Sequence, residues 1–382
     1  MPLYVDVKPE LLQWAINRSQ LSASGSGLPC EQWIRQDKKP TLRQLEEFAK
    51  KFMVPLGYLF LSTPPEETFP LADFRTLDNA SPSRPSPNLL DTIYSMQEKQ
   101  EWMRERQLQD EVPPLSFIGS LKKTSDEKQD AEDIRKQLNL TEQWTNNSTE
   151  DNHLKVLRKS VDDLGILVFF NGIVGNNTRR PLDREEFRGF VLTDSYAPLI
   201  FVNRNDTLTA QLFTLAHELV HLALGKESGV FNLPYFGVEG KDVEHYCNAV
   251  AAELLVPSSL FLKKWTHVDD IETLAKTFGV SKAVIARRAL DLHLIKRNVF
   301  FDIYGKLQNE WEFLKEKNKN EKKKGGHFYH TTNVRLSRRF SRAVIDAADT
   351  GDLLQRDAYK LLGLNEHTFT EFAKKVKEGN ND

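Results

Sequence analysis

The sequence predicts an α+β protein that is mostly helical, with a small antiparallel or mixed sheet packed on one long helix. Long segments place apolar residues at every third or fourth position, which is the period of an amphipathic helix. Three short segments, ILVFF, FRGFVLT and PLIFVN, are rich in β-branched and aromatic residues, which is typical of strands. Two long helical segments follow these strands directly. The strands and helices are therefore expected to form one module, with further helical segments at both ends of the chain.

Residues 1–65 are predicted to form short helices. Apolar residues line one face of PELLQWAINRSQL and one face of PTLRQLEEFAKKF, and Pro40 and Thr41 stand where the second helix would begin. Between them, SASGSGLPCEQWIRQDKK is rich in Gly and Ser and then polar. This composition predicts a loop with at most one short helix, around residues 31–35.

The remaining boundaries follow from changes in composition. Residues 66–88 are rich in Pro and Ser, which predicts an extended linker. Residues 89–300 contain helical segments, the three strands and two long helices near 207–224 and 243–256, and are predicted to be the main domain. Residues 301–382 are predicted to be a charged linker followed by short helices.

Composition excludes several classes of protein. The chain has 382 residues, a hydrophobic share of 40% and a net charge of -2, so it is neither largely disordered nor drawn to polyanions by its overall charge. It lacks a basic N-terminal region followed by an apolar run, and no stretch of about 18 apolar residues occurs. We expect a soluble cytoplasmic protein with no membrane partner. Cys30 and Cys247 are too few for a disulfide framework and are predicted to be buried small side chains.

The segment FTLAHELVHLALG, residues 213–225, contains the pattern HExxH. On a helix His217 and His221 lie one turn apart on the same side, so both imidazoles can reach one ion, and zinc suits such a pair. Glu218 is rotated by about 100° from His217, where its carboxylate can accept a proton from the attacking water. The alternative is that both histidines are ordinary core residues. Because their neighbours are apolar, a shared metal that satisfies both rings is the favoured interpretation.

A third ligand is expected from a carboxylate downstream, and the candidates are Glu227, Glu239, Asp242, Glu244 and Glu253. A ligand on a packed helix is held more rigidly than one in a loop, which disfavours the first two candidates. Asp242 stands at the expected N-cap of the second long helix. Glu253 lies about half a turn round that helix from Glu244, where it is expected to face solvent or form a salt bridge. Glu244 is therefore the predicted ligand.

Three neighbours of Glu244 have more than one interpretation. Asn248 shares its helix face and either orients a metal ligand or makes a plain structural hydrogen bond. His245 points about 100° away, so a surface or substrate-side role is favoured over a fourth ligand. Tyr235, His245 and Tyr246 are all candidates for stabilising an oxyanion, and the sequence does not rank them.

Three blocks, EEFRGFVLTDSYAPLIFVN, LFTLAHELVHLALG and VEHYCNAVAAELLVP, resemble the ImmA/IrrE metallopeptidases in order and spacing. LADFRT and LAKTFGVSKAVIARR extend the resemblance over most of the chain. It implies one zinc ion per chain, held by His217, His221 and Glu244, with Glu218 as the general base. It also implies a zinc endopeptidase whose substrate is a helix-turn-helix repressor or an antitoxin-like regulator. PLIFVN could act as an edge strand for an extended peptide, or be an ordinary internal strand.

The N-terminal segment resembles the two ends of a lambda-repressor-like helix-turn-helix, which many members of this family carry. The middle departs from that pattern, because SASGSGLPC stands where a helix is expected. Basic residues that could contact phosphates, or belong to a solvated face, are Arg18, Arg35, Lys38 and Lys39. We expect a protein-docking or vestigial role here and keep DNA binding as the alternative.

Two other segments could suggest nucleic-acid contact. ETLAKTFGVSKAVIARRAL has a helix-turn-helix pattern, but packing against the main domain is favoured because it lies within the family blocks. The basic run 315–324 lacks interleaved aromatic residues and is predicted to be a solvated linker. The alternative function is a DNA-binding regulator or antitoxin that uses the peptidase fold for interaction. An intact HExxH argues against this alternative function. The sequence does not indicate the oligomeric state.

Overall fold

The computed structural model describes residues 3–19, 21–66, 85–122, 126–145, 150–225, 230–231, 242–318 and 335–378. It confirms the predicted class, because the chain is 61% helical with a small mixed sheet. Two compact units are formed, one by the described residues of Met1–Pro70 and Ser83–Tyr94 and one by those of Ser95–Asp382. Most of the predicted linker, 66–88, lies outside the described residues, so the predicted domain boundaries stay predictions.

The described residues of the first unit form α1 Pro9–Ser19, α2 Cys30–Ile34 and α3 Leu42–Lys51, with 3₁₀ turns at Ser24–Ser26 and Leu56–Phe60, and they include the first turns of the long helix Pro87–Gln109. Thr41 and Gln44 form a capping box at the start of α3, as the position of Thr41 predicted. Only a 3₁₀ turn and the five-residue α2 lie between α1 and α3, so this part of the helix-turn-helix pattern is short. Cys30 packs in the core of this unit.

Arg18 corrects one expectation of the sequence analysis. Its side chain is buried, with Nη1 donating to the carbonyl of Met53 at 2.7 Å and Nη2 lying 3.3 Å from Asp91 Oδ1. A guanidinium held in this way supports the fold and cannot contact a phosphate. Lys38 and Lys39 are exposed, and Lys39 pairs with Asp6 at 2.7 Å.

Helix α4, Pro87–Gln109, leads into the second unit. The helices that follow are α5 Glu127–Gln137, α6 Glu150–Leu164, α7 Leu208–Ala223, α8 Asp242–Leu255, α9 Ser258–Lys264, α10 Ile271–Phe278, α11 Lys282–Asp291, α12 Arg297–Asn318, α13 Arg338–Thr350, α14 Gln355–Leu362 and α15 Glu366–Lys377. The strands are β1 Leu167–Asn171, β2 Ile173–Val174, β3 Asn177–Pro181, β4 Gly189–Leu192, β5 Leu199–Asn203 and β6 Val230–Phe231. None of the described helices has both the length and the apolar character that a membrane span requires.

The main sheet has the order β1-β5-β4-β6. Strands β1 and β5 are parallel, from Leu167 opposite Leu199 to Asn171 opposite Asn203, whereas β4 is antiparallel to both β5 and β6. The segment PLIFVN forms β5 and is therefore internal, so its interpretation as an edge strand was wrong. Strands β2 and β3 form a separate hairpin between the first two predicted strand segments, where the sequence analysis named no strand.

Helices cover both faces of the main sheet. Val168, Phe170, Ile200 and Val202 belong to the core that contains α7 and α8. The alternate residues point to the opposite face, where Phe169 meets Phe340 of α13 with ring centroids 5.6 Å apart. Because both faces are buried, these strands consist of almost unbroken apolar residues.

The segment ETLAKTFGVSKAVIARRAL forms α10 and α11, joined at Gly279, and it packs into the core as predicted. Arg288 of α11 pairs with Glu253 of α8, and both side chains are buried. Glu253 Oε1 also accepts hydrogen bonds from the backbone and hydroxyl of Ser258. Glu253 therefore joins α8, α9 and α11 through the salt bridge that was one of its two predicted roles.

Lys99 of α4 is an unusually buried cation, with 9% of its surface exposed. Its Nζ donates to Ser95 Oγ at 2.9 Å, and burial lowers the pKa of Lys99 to about 8 from 10.5. The folded chain therefore binds fewer protons than the unfolded chain between about pH 8 and 10.5. The contribution of Lys99 destabilises the fold at pH 7, and this cost is relieved as the pH rises through that window.

We expect Lys99→Met to raise the free energy of unfolding by about 2 to 3 kcal/mol at pH 7, because it removes a buried charge and keeps the apolar stem. The gain should shrink as the pH approaches 10.5. Urea denaturation at pH 7, 9 and 10.5 measures it, with the exposed Lys276→Met as the control. A gain of equal size at all three pH values would contradict the explanation.

Candidate metal centre

Helix α7 carries the HExxH residues, and both of its ends are fixed. Thr207 is its N-cap, and the Thr207 side chain accepts a hydrogen bond from the backbone N–H of Ala210. Gly225 follows its last turn with φ +64°, a left-handed conformation that favours glycine. A Cβ added to Gly225 would lie 2.8 Å from the Cα of Gly119, so the two glycines also permit a close approach of two backbones.

The segment around Gly119 holds the C-terminal end of α7. The backbone N–H groups of Gly119 and Leu121 donate to the carbonyls of Leu222 and Ala223, at 3.2 and 2.8 Å. The carbonyl of Leu222 also accepts a hydrogen bond from the backbone N–H of Gly225 at 2.9 Å, just after the helix, so the segment around Gly119 adds partners to the carbonyls of the last turn. The end of the helix that carries HExxH is therefore fixed by a segment about 100 residues earlier in the chain.

Helix α8 packs against α7 and brings the predicted carboxylate to the histidines. Glu244 Oε2 lies 3.2 Å from His217 Nε2, and Glu244 Oε1 lies 3.4 Å from His221 Nε2. The Nε2 atoms of His217 and His221 are 3.0 Å apart. In a tetrahedral zinc site with bonds of about 2.0 to 2.1 Å, neighbouring ligand atoms are about 3.3 Å apart. The donor atoms of these three side chains therefore have the spacing that one metal ion requires.

Asn248, one turn after Glu244 on α8, determines which nitrogen of His217 can bind a metal. Its Oδ1 lies 3.0 Å from His217 Nδ1, and an amide oxygen only accepts hydrogen bonds. In the tautomer that carries its proton on Nδ1, His217 donates to this oxygen and presents the lone pair of Nε2 towards Glu244 and His221. The orienting role of Asn248, one of its two predicted roles, has the geometry it needs.

We expect Asn248→Ala to weaken zinc binding by about 10- to 100-fold, because His217 loses the acceptor that fixes its tautomer and ring orientation. Competition with a zinc-binding dye measures this affinity. Asn248→Asp keeps an acceptor at the same position and should bind zinc as tightly as the unchanged chain. If Asn248→Ala bound zinc as tightly as the unchanged chain, the contact between Asn248 and His217 would have only a structural role.

Glu218 lies beside this cluster, and its side chain is buried. Among the described residues, no group makes a hydrogen bond to its Oε1 atom. The neighbouring Gly189 of β4 leaves the space that this carboxylate needs. A Cβ at Gly189 would lie 3.3 Å from Glu218 Oε1, 2.6 Å from Thr214 Cγ2 and 2.8 Å from the carbonyl oxygen of Phe201. Sequence analysis missed Gly189, although a glycine within a strand often marks a close approach.

Burial and mutual charge set the protonation of the cluster. Burial, and then the charge of Glu244, raise the pKa of Glu218 well above its ordinary value. Burial lowers the pKa of His217, which favours the neutral ring that a metal needs. Burial opposes ionisation of Glu244, but its contacts with His217 and His221 outweigh this and lower the pKa of its carboxyl. Ionisation of Glu244 and a neutral His217 ring are therefore favoured together, as metal binding requires.

Two of the other candidates, His245 and Tyr246, lie outside the cluster. His245 is exposed, and the hydroxyl of Tyr246 donates instead to Asp130 Oδ2 at 2.6 Å. Tyr246 thus joins α8 to α5, and Cys247 beside it is buried as predicted. Glu227, Tyr235, Glu239 and the side chain of Asp242 lie outside what the structure describes.

The comparisons with known proteins agree with this geometry. Residues 161–290 match the family model of the IrrE N-terminal-like domain, Peptidase_M78. The IrrE-like region covers about a third of the chain and includes all four predicted site residues. It supports an enzyme of the metallopeptidase type. Residues 336–375 match a domain of unknown function, DUF8813, and no curated protein matches the chain.

Proposed function

We propose that this protein is a zinc-dependent endopeptidase that cleaves a partner protein in the cytoplasm. The observation that carries the proposal is the convergence of His217, His221 and Glu244, with the buried carboxylate of Glu218 beside them. A cluster with only a structural role would not need a second carboxylate beside it, whose buried Oε1 accepts no hydrogen bond from the described residues. The match to Peptidase_M78 over this region supports the same conclusion.

Zinc is the metal that we assign to the site. Two imidazoles and one carboxylate are the ligands of many catalytic zinc centres, which keep a further position open. Bound zinc would polarise the scissile carbonyl and make water at the site more acidic. The Nε2 atoms of His217 and His221 and the carboxylate of Glu244 would hold it.

The residues of the chain then divide the remaining work. Glu218 would accept the proton of the attacking water and pass it to the leaving nitrogen, as a general base and then a general acid. Asn248 keeps His217 in the tautomer that presents Nε2 to the metal. Gly189 leaves the space in which the Glu218 carboxylate lies.

The substrate class comes from the resemblance of the sequence to the ImmA/IrrE metallopeptidases. We propose a helix-turn-helix repressor or an antitoxin-like regulator as the protein that is cleaved. The experiment combines the purified full-length chain, loaded with one equivalent of zinc, with a regulator encoded beside it. Mass spectrometry should find two fragments that together make up the regulator, and a chelator should prevent their formation.

The alternative is a DNA-binding regulator or antitoxin that uses the peptidase fold only for contact. It predicts tight binding to an operator and no dependence on zinc. The buried Glu218 argues against it, because a contact protein has no use for that carboxylate. A chain that binds an operator but takes up no zinc and cleaves no regulator would favour the alternative.

A further inference from the structure

Strand β4 has one side that the sheet covers in part, and we call this side, which faces away from β5, the outer edge of β4. On the opposite side β5 pairs with all four residues of β4. At the outer edge β6 pairs with the first half of β4, where Phe231 lies opposite Gly189 and Val230 lies opposite Phe190. Within the described residues, no strand pairs with the second half of β4 at this edge.

The register of the sheet determines which backbone groups of β4 point to the outer edge. The backbone N–H of Asn203, the last residue of β5, donates to the carbonyl of Arg188, just before β4, at 2.7 Å. Successive residues of an antiparallel strand direct their N–H and C=O groups to opposite sides. Because Arg188 directs its carbonyl to β5, Gly189 and Val191 direct their backbone groups to the outer edge.

Strand β6 occupies the outer edge at Gly189. Because Phe231 lies opposite Gly189, the N–H and C=O groups of Phe231 face β4, whereas those of Val230 face away from it. In the chain, β6 comes between α7, which carries the two histidines, and α8, which carries Glu244. The occupant of this edge is therefore a strand from the connection between the two helices of the candidate metal centre.

The position that β6 covers lies beside the predicted general base. A Cβ at Gly189 would lie 3.3 Å from Glu218 Oε1 and 2.6 Å from Thr214 Cγ2, and both of these residues belong to α7. Val191 lies on the same face of the sheet as Gly189 and packs in the core that contains α7. The outer edge of β4 thus begins beside the carboxylate of Glu218.

A peptide that is cleaved at this centre has to pass close to Glu218, because this carboxylate must reach the water that attacks the scissile carbonyl. An extended peptide satisfies its own backbone groups by adding to the edge of a sheet. At the outer edge of β4, Gly189 and Val191 each direct one N–H and one C=O group to such a peptide. While Phe231 is paired with Gly189, a peptide cannot pair there, so β6 and the peptide compete for one place.

We propose that β6 is an autoinhibitory strand, which an extended segment of the protein substrate displaces in order to pair with Gly189 and Val191. This inference rests on the proposed function, because it places the scissile peptide at Glu218. It also defines the kind of partner. The cleaved segment has to be extended over about the length of β4, four residues, because the backbone groups of a folded helix are already paired within that helix.

Peptide hydroxamates test the proposal, because the hydroxamate group binds zinc and brings the attached peptide to the site. The probes are two fluorescently labelled tetrapeptides, one with the hydroxamate at its amino end and one with it at its carboxyl end, so that both directions along β4 are sampled. The zinc-loaded full-length chain is compared with Phe231→Pro, which lacks the N–H that faces Gly189. We expect Phe231→Pro to bind at least one probe about 3- to 10-fold more tightly, the effect of one or two hydrogen bonds. Fluorescence anisotropy measures the Kd.

Val230→Pro is the matched control. It introduces the same residue next to Phe231, but the N–H that it removes faces away from β4, so its affinity for the tetrapeptides should equal that of the unchanged chain. A labelled hydroxamate without a peptide should bind all three chains equally, which shows that each keeps its metal centre. Tetrapeptides with N-methylated amides cannot donate to β4 and should bind the unchanged chain more weakly than their parents.

Three results would overturn the inference alone: zinc-dependent binding of the short hydroxamate with no gain for either tetrapeptide in Phe231→Pro, an equal gain in Val230→Pro, or equal affinity of the parent and N-methylated tetrapeptides for the unchanged chain. The proposed function fails in a different way. An unchanged chain that takes up no zinc and binds no hydroxamate would overturn that function, and the inference with it.

Discussion

Replacing Glu218 by Gln is expected to lower the rate of substrate cleavage by about 100- to 10,000-fold while zinc stays bound, because this is the range that a general base contributes. The amide has the shape of the carboxylate and fits the space beside Gly189, but it cannot accept a proton. None of the three predicted metal ligands is changed. Cleavage of the co-encoded regulator is followed by mass spectrometry, and bound zinc is measured by inductively coupled plasma spectrometry.

The matched control is Glu272→Gln, which makes the same chemical change at an exposed glutamate within residues 161–290. It should cleave at the rate of the unchanged chain. Full cleavage by the Glu218 variant would refute the assignment of the base, and loss of zinc from it would show that Glu218 supports the metal instead. Absence of cleavage even in the unchanged, zinc-loaded chain would count against the choice of regulator as the substrate.

Removal of one metal ligand is expected to have the second large effect. His221→Ala should lose zinc at micromolar concentrations, with an affinity more than about 100-fold lower, because even the loss of an orienting partner costs about 10- to 100-fold. In the unchanged chain, zinc at 100 times its Kd should add about 2.7 kcal/mol of stability. For the unit Ser95–Asp382 that corresponds to a rise in Tm of about 4 to 5 °C, at an unfolding entropy of about 2.1 cal/mol/K per residue. The variant should show no such rise.

His245→Ala is the matched control, because this exposed histidine lies on the same helix as Glu244 but outside the cluster. It should keep one zinc and the full rise in Tm. Thermal scans with zinc and with chelator compare the three chains. A zinc-dependent rise in Tm that survives in the His221 variant would show that the metal binds elsewhere.

Much of the fold followed from local pattern. The period of apolar residues predicted α7 and α8 closely, and the composition of three short segments predicted β1, β4 and β5. The β2–β3 hairpin was missed because its residues are polar and exposed, which gives no apolar alternation to recognise. The sequence also left open whether β5 lies inside the sheet or at its edge. An internal strand buried on both faces and an apolar edge strand have the same composition.

Two residues show that the sequence pattern does not predict which contacts a polar side chain makes. Arg18 was offered as a phosphate contact because it is basic and near a helix end, but folding buries it against Asp91, 73 residues later. Tyr246 was a candidate for the site because it is near in sequence, but its hydroxyl faces Asp130 on α5. The orientation of each side chain round its helix, together with a partner far away in the sequence, determined where Arg18 and Tyr246 lie.

By itself the sequence predicted the helix that carries HExxH, the pairing of His217 with His221 and the choice of Glu244, because the spacing of residues on a helix fixes which side chains share a face. The structure brings these three side chains together. Only the tertiary structure decided what surrounds them. The contact between His217 and Asn248, the space left by Gly189 and the hydrogen bond from Arg335 to Asn176 each join segments far apart in the chain. Such contacts depend on how helices and sheet pack, and packing is determined by the whole core rather than by any local run of residues.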